Sequence, residues 1–425
     1  MCETEPADFD AEAVAVWLYN SLPEEDNAAM AHSILRSLDC FVPGQGLPAP
    51  VPGVPEVPIA SRYAGTEGLR SAVVRFLSDA AREGGELLLY SDEPMDWMSG
   101  DPTYFALWAS LMVKCVNNGV KIRIIHNVDR DSGEMADAIK GWFPLYISGM
   151  IEPYVFRKEH NPRFYHTVFL RPGNACIHGF FPAGSGEHRW YEYVTDQELL
   201  ELLELEYSAM LAAASPFLVT YTTATREEFH RARIRAPGAR DYLLNEFPVV
   251  TMPEELLTRM LARCNVAEEK KQTALSYYRD LRRQFEETLE KDSVNLILYL
   301  PENAGEQGRH LNVALSMTEF PIDYTQEEYA EHLAAIIELV ERERNFHLTL
   351  LPLAPFQDIQ IITRQDAVVV LRCREPFAAF EFLNPNLRQS VSAYLSSLVT
   401  QYAKDRRTMI EALRNQNEMA KQEQD

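Results

Sequence analysis

The chain has few cysteines and no motif of the kind that holds a metal ion or a phosphate. Its six cysteines are scattered over 425 residues without a C-x-x-C pair, which argues against a zinc ribbon and a disulfide framework. No Walker-type glycine loop, G-x-S-x-G or H-E-x-x-H is found along it. These absences exclude the commonest nucleotide-binding and hydrolase signatures, and we expect no cofactor and no metal.

Long apolar runs and an excess of positive charge are also missing. No apolar run approaches the ~18 residues of a membrane span, and the first ten residues are too acidic and polar for a secretion signal. Acidic residues outnumber basic ones by 63 to 40, which gives a net charge of −23. Such a chain is repelled by phosphate backbones. The sequence therefore predicts a cytoplasmic protein that binds neither membranes nor, by itself, nucleic acid.

Proline density and hydrophobic periodicity divide the chain. Six prolines within residues 42–58 prevent helix and sheet and predict an extended linker. Beyond it, apolar strands alternate with amphipathic helices, which is typical of an α/β protein. The predicted segments are a helical N-terminal piece (1–41), a proline-rich linker (42–58), a first α/β lobe (59–215), a mostly helical connector (216–292), a second α/β lobe (293–403) and a charged helical tail (404–425).

The first lobe carries clear start and stop signals. The apolar strands "ELLLYSD" (86–92) and "KIRIIHN" (121–127) flank a helix with Asp101 and Pro102 at its start and Gly119 at its end. A strand, a helix and a second strand in this order predict a parallel pair with a right-handed crossover. A further helix is predicted at 134–148, before a hairpin with the turn "RPGN".

The second lobe repeats this order. Its strands "NLILYLP" and "FHLTLLPL" flank a helix for which Thr325 and Glu328 predict a capping box. "YEYVTD" closes the first lobe and "FEFLNP" the second, each before an amphipathic helix. We therefore predict an internal duplication in which "NLILYLP" matches "ELLLYSD" and "FHLTLLPL" matches "KIRIIHN".

Two α/β lobes of this order resemble the phospholipase D-type fold. In that superfamily each lobe carries H-x-K followed by an aspartate, and the two histidines act as nucleophile and general acid. The resemblance implies that His166, in "FYHTVFLRPGNACIHGF", holds the histidine position, but Val168 stands in place of the lysine and no aspartate follows. The second hairpin, "DIQIITRQDAVVVLRC", has no histidine. A duplicated lobe without this pair implies a fold that has lost its catalyst.

Several phrases are similar to the C-terminal sensor region of bacterial Xre/Cro-like helix-turn-helix transcriptional regulators. They are "EPMDWM", "GVKIRIIHNVDR", "EMADAIKGWFPLYISGMIEPYVF", "FPVVTMPEELLTRML" and "YTQEEYAEHLAAIIELV". The resemblance implies a regulatory role and names no ligand. No helix-turn-helix pattern is found in residues 1–60, so DNA contact is expected only through such a domain on a longer form or a partner.

Polar side chains end two neighbouring strands of the first lobe. His126, Asn127 and Arg130 follow the second strand, and Ser91 and Asp92 end the first. Sheets of this class bind ligands at the carboxyl ends of parallel strands. These residues could form the polar floor of a cleft, or they could only cap neighbouring backbone, and the sequence leaves both interpretations open.

Five further residues are candidate ligand contacts. His166 and Trp142 could line a pocket or could be core residues, and Gln360 lies on the second hairpin. Glu192 and Glu381 each stand between two aromatics, so each points away from the face that the aromatics occupy. The two glutamates would form a symmetric acidic pair if that face were a cleft, and would have no role if it were solvent-exposed.

The sequence favours a non-catalytic sensing and interaction region that binds an unidentified small molecule or peptide. A divergent phosphodiesterase or nuclease using His166 is the alternative enzyme. A scaffold without a small ligand is the third interpretation, and a homodimer is left open.

Overall fold

The structure is a computed structural model that divides into two compact units, with the boundary between Thr220 and Tyr221. The helix α1 (Asn27–Cys40) belongs to the second unit. None of the described helices is long and apolar enough to cross a membrane. The residues that the structure describes are 27–40, 57–127, 149–156, 163–299, 310–311, 320, 322–373 and 377–422.

The first lobe is built on a mixed sheet with eight strands among its described residues, in the order β1-β7-β6-β5-β2-β3-β4-β8. The strands are β1 (Arg62–Ala64), β2 (Glu86–Ser91), β3 (Lys121–Asn127), β4 (Ile151–Phe156), β5 (Phe164–Arg171), β6 (Ala175–Pro182), β7 (Trp190–Val194) and β8 (Ser215–Pro216). Its described helices are α2 (Gly65–Glu83), α3 (Asp96–Ser99), α4 (Pro102–Asn117) and α5 (Gln197–Ala213). Strands β2, β3 and β4 are parallel, and β5, β6 and β7 form an antiparallel meander next to β2.

The predicted local signals form this lobe. Asp101 accepts hydrogen bonds from the backbone N–H groups of Thr103 and Tyr104, which satisfies donors that the first turn of α4 leaves free. Gly119, just after α4, has φ of +76°, a conformation that only glycine adopts easily. On one side of the sheet, α5 buries Leu200, Leu203 and other apolar residues against the strands, at about 1.5–3 kcal/mol for each leucine.

The second lobe is built on a mixed sheet with the described order β14-β11-β10-β15-β16-β17-β9. Its strands are β9 (Leu218–Thr222), β10 (Ala239–Leu244), β11 (Val294–Tyr299), β14 (Phe346–Leu351), β15 (Ile359–Arg364), β16 (Val368–Arg372) and β17 (Ala378–Phe382), with a separate ribbon of β12 (His310–Leu311) and β13 (Ile322–Asp323). Its remaining helices are α6 (Arg226–Arg235), α7 (Glu254–Arg263), α8 (Glu268–Lys291), α9 (Gln326–Arg342), α10 (Pro385–Tyr402) and α11 (Arg406–Gln422). The predicted capping box of Thr325 and Glu328 begins α9.

The two lobes share one topology. In each, an edge strand and a helix precede three parallel strands, and an antiparallel meander and a closing helix follow. The matching strands are β1 and β9, β2 and β10, β3 and β11, β4 and β14, β5 and β15, β6 and β16, and β7 and β17. Strands β4 and β14 both have six residues, and β7 and β17 both have five. The prediction of two α/β lobes is confirmed.

The strand matching differs from the prediction. "NLILYLP" forms β11, which matches β3 and not β2, and "FHLTLLPL" forms β14, which matches β4. The counterpart of β2 is β10, which lies in the range 216–292 that was predicted as a mostly helical connector. Only the Tyr242–Leu244 half of β10 is fully buried, so its apolar signal is short and two long helices follow it.

The N-terminal helix and the C-terminal tail both belong to the second lobe. Helix α1 lies along α10, and Asp39 accepts hydrogen bonds from the backbone N–H groups of Gln357 and Asp358 at 2.8 and 2.6 Å. Helix α11 packs on α9 and buries Met409 and Leu413. A separate N-terminal piece was predicted, whereas α1 is part of a lobe. Residues 1–26 of the predicted N-terminal piece, the predicted helix at 134–148, and all but the end of the linker 42–58 lie outside the described residues.

Candidate functional site

The carboxyl end of β2 carries a closed ring of hydrogen bonds. The Glu93 backbone N–H donates to Ser91 Oγ at 3.2 Å, and Ser91 Oγ lies 2.9 Å from Thr167 Oγ1. Thr167 in turn donates to the carboxylate of Glu93, so the Ser91 hydroxyl is left to donate to Thr167. The ring joins the loop after β2 to β5, its antiparallel neighbour.

Glu93 is the buried centre of this cluster. Its side chain has no exposed surface, accepts a 2.7 Å hydrogen bond from Tyr191 OH and lies 3.3 Å from Arg189 Nη1. Burial raises the pKa of the Glu93 carboxyl, while the donors Thr167 and Tyr191 and the charge of Arg189 oppose that rise. A carboxylate enclosed in this way holds β2, β5 and β7 together and is out of reach of a dissolved ligand.

Asp92 connects the same loop to His166. The Asp92 backbone N–H donates to His166 O at 3.2 Å, and the Asp92 carboxylate accepts from the His166 backbone N–H. Tyr90 OH lies 3.4 Å from Asp92 Oδ2. Three of the predicted site residues, Ser91, Asp92 and His166, are therefore neighbours in the structure.

The imidazole of His166 points to the opposite side of the sheet from Thr167, because neighbouring residues of a strand alternate. It meets the ring of His178 edge-on with 5.5 Å between centroids, and lies 5.9 Å from the rings of Tyr90 and Phe180. His166 Nε2 is 3.7 Å from Glu206 Oε1 on α5. The His166 side chain keeps 14% of its surface exposed, so it remains accessible.

Exposed aromatic rings surround this histidine pair. Phe164 and Phe180 stack with centroids 5.2 Å apart and an interplanar angle of 7°, although both are about half exposed. We call the group of Phe164, His166, His178, Phe180 and Glu206 the His166 surface. It offers flat apolar area, imidazole nitrogens and a carboxylate to a ligand.

The structure does not place the other predicted residues of the first lobe on the His166 surface. His126 is half-buried near the end of β3, where it pairs with Val155 of β4. Asn127 ends β3, but its side chain lies outside the described residues, as do Arg130 and Trp142.

The two matched glutamates lie on opposite sides of their sheets. Glu192 shares its side with Val194, which packs under α5, and pairs with Arg62 at 3.4 Å. Glu381 shares its side with Ala379, which packs in the core that includes α8, and pairs there with Arg364. The two glutamates therefore do not hold equivalent positions in the two lobes, as a symmetric acidic pair would require. Glu192 matches Phe380 of β17, one residue away from Glu381.

In the second lobe, different residues occupy the β15 positions that match His166, Thr167 and Val168 of β5. Arg171 and Arg364 stand directly before the two hairpin turns and are matched to each other. Counting back from them along β5 and β15 places Ile359 at the position of His166 and Ile361 at that of Val168. Gln360 matches Thr167. Its side chain has no exposed surface, and its amide has no hydrogen-bond partner among the described residues, so it is a buried core residue that a dissolved ligand does not reach.

Sequence reasoning missed Thr167, Tyr191, Arg189 and His178. These residues reach the site through antiparallel pairing of β5, β6 and β7. One signal was present. "SDE" starts at the last residue of β2 and "LNE" at the last residue of its counterpart β10, so that Glu93 matches Glu246. This similarity is visible only when the strands are matched correctly.

Among the described residues, no group of three or more His, Cys, Asp or Glu side chains could hold a metal ion. Cys115 and Cys176 are buried thiols, and burial raises the pKa of Cys115 to about 12. Cys373 is partly exposed. No protein-family model matches the chain, and no curated protein matches it.

Proposed function

We propose that this chain is a non-catalytic effector-sensing and interaction region of a bacterial transcriptional regulator, built on a phospholipase D-like pair of lobes. The repeated topology supports the fold part of the proposal. The phrases that resemble Xre/Cro-like regulators support the regulatory part. In this proposal the protein works in the cytoplasm, and a helix-turn-helix domain on a longer form or a partner contacts DNA.

The non-catalytic part of the proposal rests on the observation that Ile359 holds the position of His166 in the second lobe. A phospholipase D-type reaction needs a nucleophile from one lobe, an acid from the other and cations around the phosphate. The second lobe has an isoleucine where the first has His166, and both lysine positions hold aliphatic residues, Val168 and Ile361. Branched aliphatic side chains can neither transfer a proton nor bind a phosphate oxygen.

The His166 surface is the proposed effector site. Its stacked phenylalanines favour a planar or apolar group, and the Glu206 carboxylate next to His166 favours a positively charged one over an anion. The buried ring around Glu93 fixes the backbone of His166 through Asp92. Such a rigid support reduces the ordering that binding would require.

We expect a planar cationic metabolite to raise the melting temperature of the 425-residue chain in a thermal-shift screen that includes neutral and anionic compounds. His166→Ala should abolish that shift, because it removes the imidazole between the phenylalanine pair and Glu206. His347→Ala is the matched control, since His347 is an exposed histidine of the second lobe. If no compound shifts the chain, or if both variants respond like the original, the sensing proposal fails and the scaffold interpretation stands.

One observation, the position of His178, favours an enzyme. It places a second imidazole next to His166 within one lobe. We nevertheless expect no turnover of a generic phosphodiester or of single-stranded DNA, because Glu206 and Glu192 lie on that side of the sheet and repel phosphate. Hydrolysis that disappears in His166→Ala and persists in His347→Ala would establish the phosphodiesterase alternative.

A further inference from the structure

Exposed apolar side chains are concentrated on one side of the first lobe. Six of the eight large apolar side chains that stand out as exposed among the described residues lie on α5 or on the same side of the sheet as α5: Phe164, Phe180, Trp190, Leu199, Leu202 and Leu205. Leu199, Leu202 and Leu205 are 39%, 62% and 68% exposed. They recur every third residue and therefore form a row on the helix surface. We call this row the α5 stripe.

The second lobe shows what covers the equivalent helix face. Leu199 and Leu202 hold the same places in α5 as Leu387 and Ser390 hold in α10. Leu387 and Ser390 are buried, and one turn further along, Tyr394 meets the ring of His32 of α1 with 5.4 Å between centroids.

Helix α1 thus lies on α10, and the apolar residues that it buries, among its described side chains, are Ala31, Leu35 and Leu38. The repeated architecture therefore accepts an amphipathic helix on the outer face of its closing helix.

In the first lobe the counterparts of Leu387, Ser390 and Tyr394 are Leu199, Leu202 and Glu206. That face therefore carries the first two leucines of the α5 stripe, which are exposed. The counterpart of Leu205 is Ala393, which is exposed in the second lobe as well.

Charge indicates which kind of helix fits the α5 stripe. Helix α5 contains Glu198, Glu201, Glu204 and Glu206 and no lysine or arginine. Glu201 and Glu206 flank the leucine row on its two sides at helical spacing. A second copy of α5 would bring these acids against each other, which disfavours self-pairing. A helix with lysines or arginines beside its apolar row would instead meet opposite charge.

We propose that the α5 stripe binds an amphipathic helix with basic flanks, carried by a partner protein. This inference rests on the proposed function, because it names the route by which a sensing lobe would reach its partner. Binding buries the three exposed leucines in the way that helix-in-groove recognition buries its apolar anchors. The glutamates steer the basic helix and set its orientation.

The test uses a fluorescent synthetic peptide of about 18 residues, long enough to form a helix, with leucines in one row and lysines on both sides. Titrated with the full 425-residue chain and followed by anisotropy, it should bind with an affinity that falls as salt rises. Leu202→Ser together with Leu205→Ser should weaken binding about tenfold or more, which corresponds to at least about 1.4 kcal/mol. Glu198→Gln together with Glu201→Gln should weaken it at low salt and remove part of the salt dependence.

Leu353→Ser is the matched control, since Leu353 is an exposed leucine of the second lobe, and it should bind the peptide like the original chain. Equal binding by the leucine double variant, or by a peptide with the same residues scrambled, would overturn the proposal. So would a concentration-dependent dimer, seen by sedimentation, that the leucine double variant loses, because the occupant would then be a second copy. The thermal-shift response that depends on His166 is measured in a separate experiment. Failure of peptide binding would therefore overturn the α5-stripe proposal without deciding the sensing proposal.

Discussion

Lowering the pH from 6.5 to about 4.5 is expected to destabilise the second lobe by roughly 3 kcal/mol for each pH unit once both histidines titrate in the unfolded chain. Two buried histidines, His332 and His230, are the cause, because the pKa of each is lowered from 6.5 to about 3 by burial. The folded lobe keeps both rings neutral, while the unfolded chain binds a proton on each below about pH 6.5. Each such proton contributes about 1.4 kcal/mol per pH unit. This stability is present in full above pH 6.5 and is lost as the pH falls towards 3.

His332 is held by hydrogen bonds at both ring nitrogens. Its Nε2 lies 2.9 Å from Thr251 Oγ1 and its Nδ1 lies 2.8 Å from Tyr324 OH. Thr251 donates its own proton to Pro248 O, so its oxygen accepts from Nε2–H and Tyr324 donates to Nδ1. The ring has no exposed surface. This neutral tautomer satisfies every partner, and a second ring proton would disturb that arrangement.

His230 is neutral for a related reason. Its Nδ1 lies 3.0 Å from Tyr277 OH, and the two rings meet edge-on. After burial, the largest causes that lower its pKa are the positive charges of Arg233 and Arg226. A protonated His230 would thus be both desolvated and placed next to like charges.

The measurement is urea unfolding at pH 7.5, 6.0, 5.0 and 4.5, a series in which only the last point lies near the ordinary pKa of glutamate. His332→Gln should be less stable at pH 7.5, because it loses part of the hydrogen bonding, but its stability should fall less steeply with acid. His347→Gln, at an exposed histidine of the same lobe, should follow the original chain. If the three proteins lost stability in parallel as the pH fell, His332 would not be a source of the acid sensitivity. An equal acid response of His230→Gln and the original chain would exclude His230 in the same way.

Part of the element order of each lobe could be predicted because strong local signals mark those elements. Asp101, Gly119 and the capping box of Thr325 and Glu328 all act where the sequence places them. The short strand β10 could not be found in this way. Its buried half is brief, and it becomes a sheet strand only because β11 and β15 pair with it on its two sides. Long-range pairing thus decides what local propensity leaves open.

The candidate site was predictable in part for the same reason. Ser91 and Asp92 stand at the end of a parallel strand, where the general rule places binding residues. Thr167 and Tyr191 arrive only through the registers of β5, β6 and β7, which depend on turn geometry and on the shape of the core. A shift of one residue in register moves a side chain to the other face of a sheet. That is the error in pairing Glu192 with Glu381.

Removing these two glutamates should therefore have very different effects. Glu381→Ala is expected to cost about 3 kcal/mol of unfolding free energy, because it leaves the guanidinium of Arg364, only 6% exposed, without its most buried partner. It also removes the acceptor of a 3.2 Å hydrogen bond from Tyr221 OH. Arg364 keeps its contact with the half-exposed carboxylate of Asp366, so the cost should lie near the lower end for a broken buried pair.

Glu192→Ala removes the glutamate that the sequence pattern matches to Glu381, although the two residues are not structurally equivalent. Its partner Arg62 is 74% exposed, and Glu192 itself is 34% exposed, so the change should cost no more than about 1 kcal/mol. Both variants can be compared by urea unfolding at pH 7.5. Replacing both members of the buried pair, Arg364→Met with Glu381→Leu, should recover most of the stability that Glu381→Ala loses, because no unpaired charge is then left in the core. Equal losses in the two single variants would mean that Glu381 does not compensate the charge of Arg364, and the assignment of the two glutamates to opposite faces would lose its energetic support.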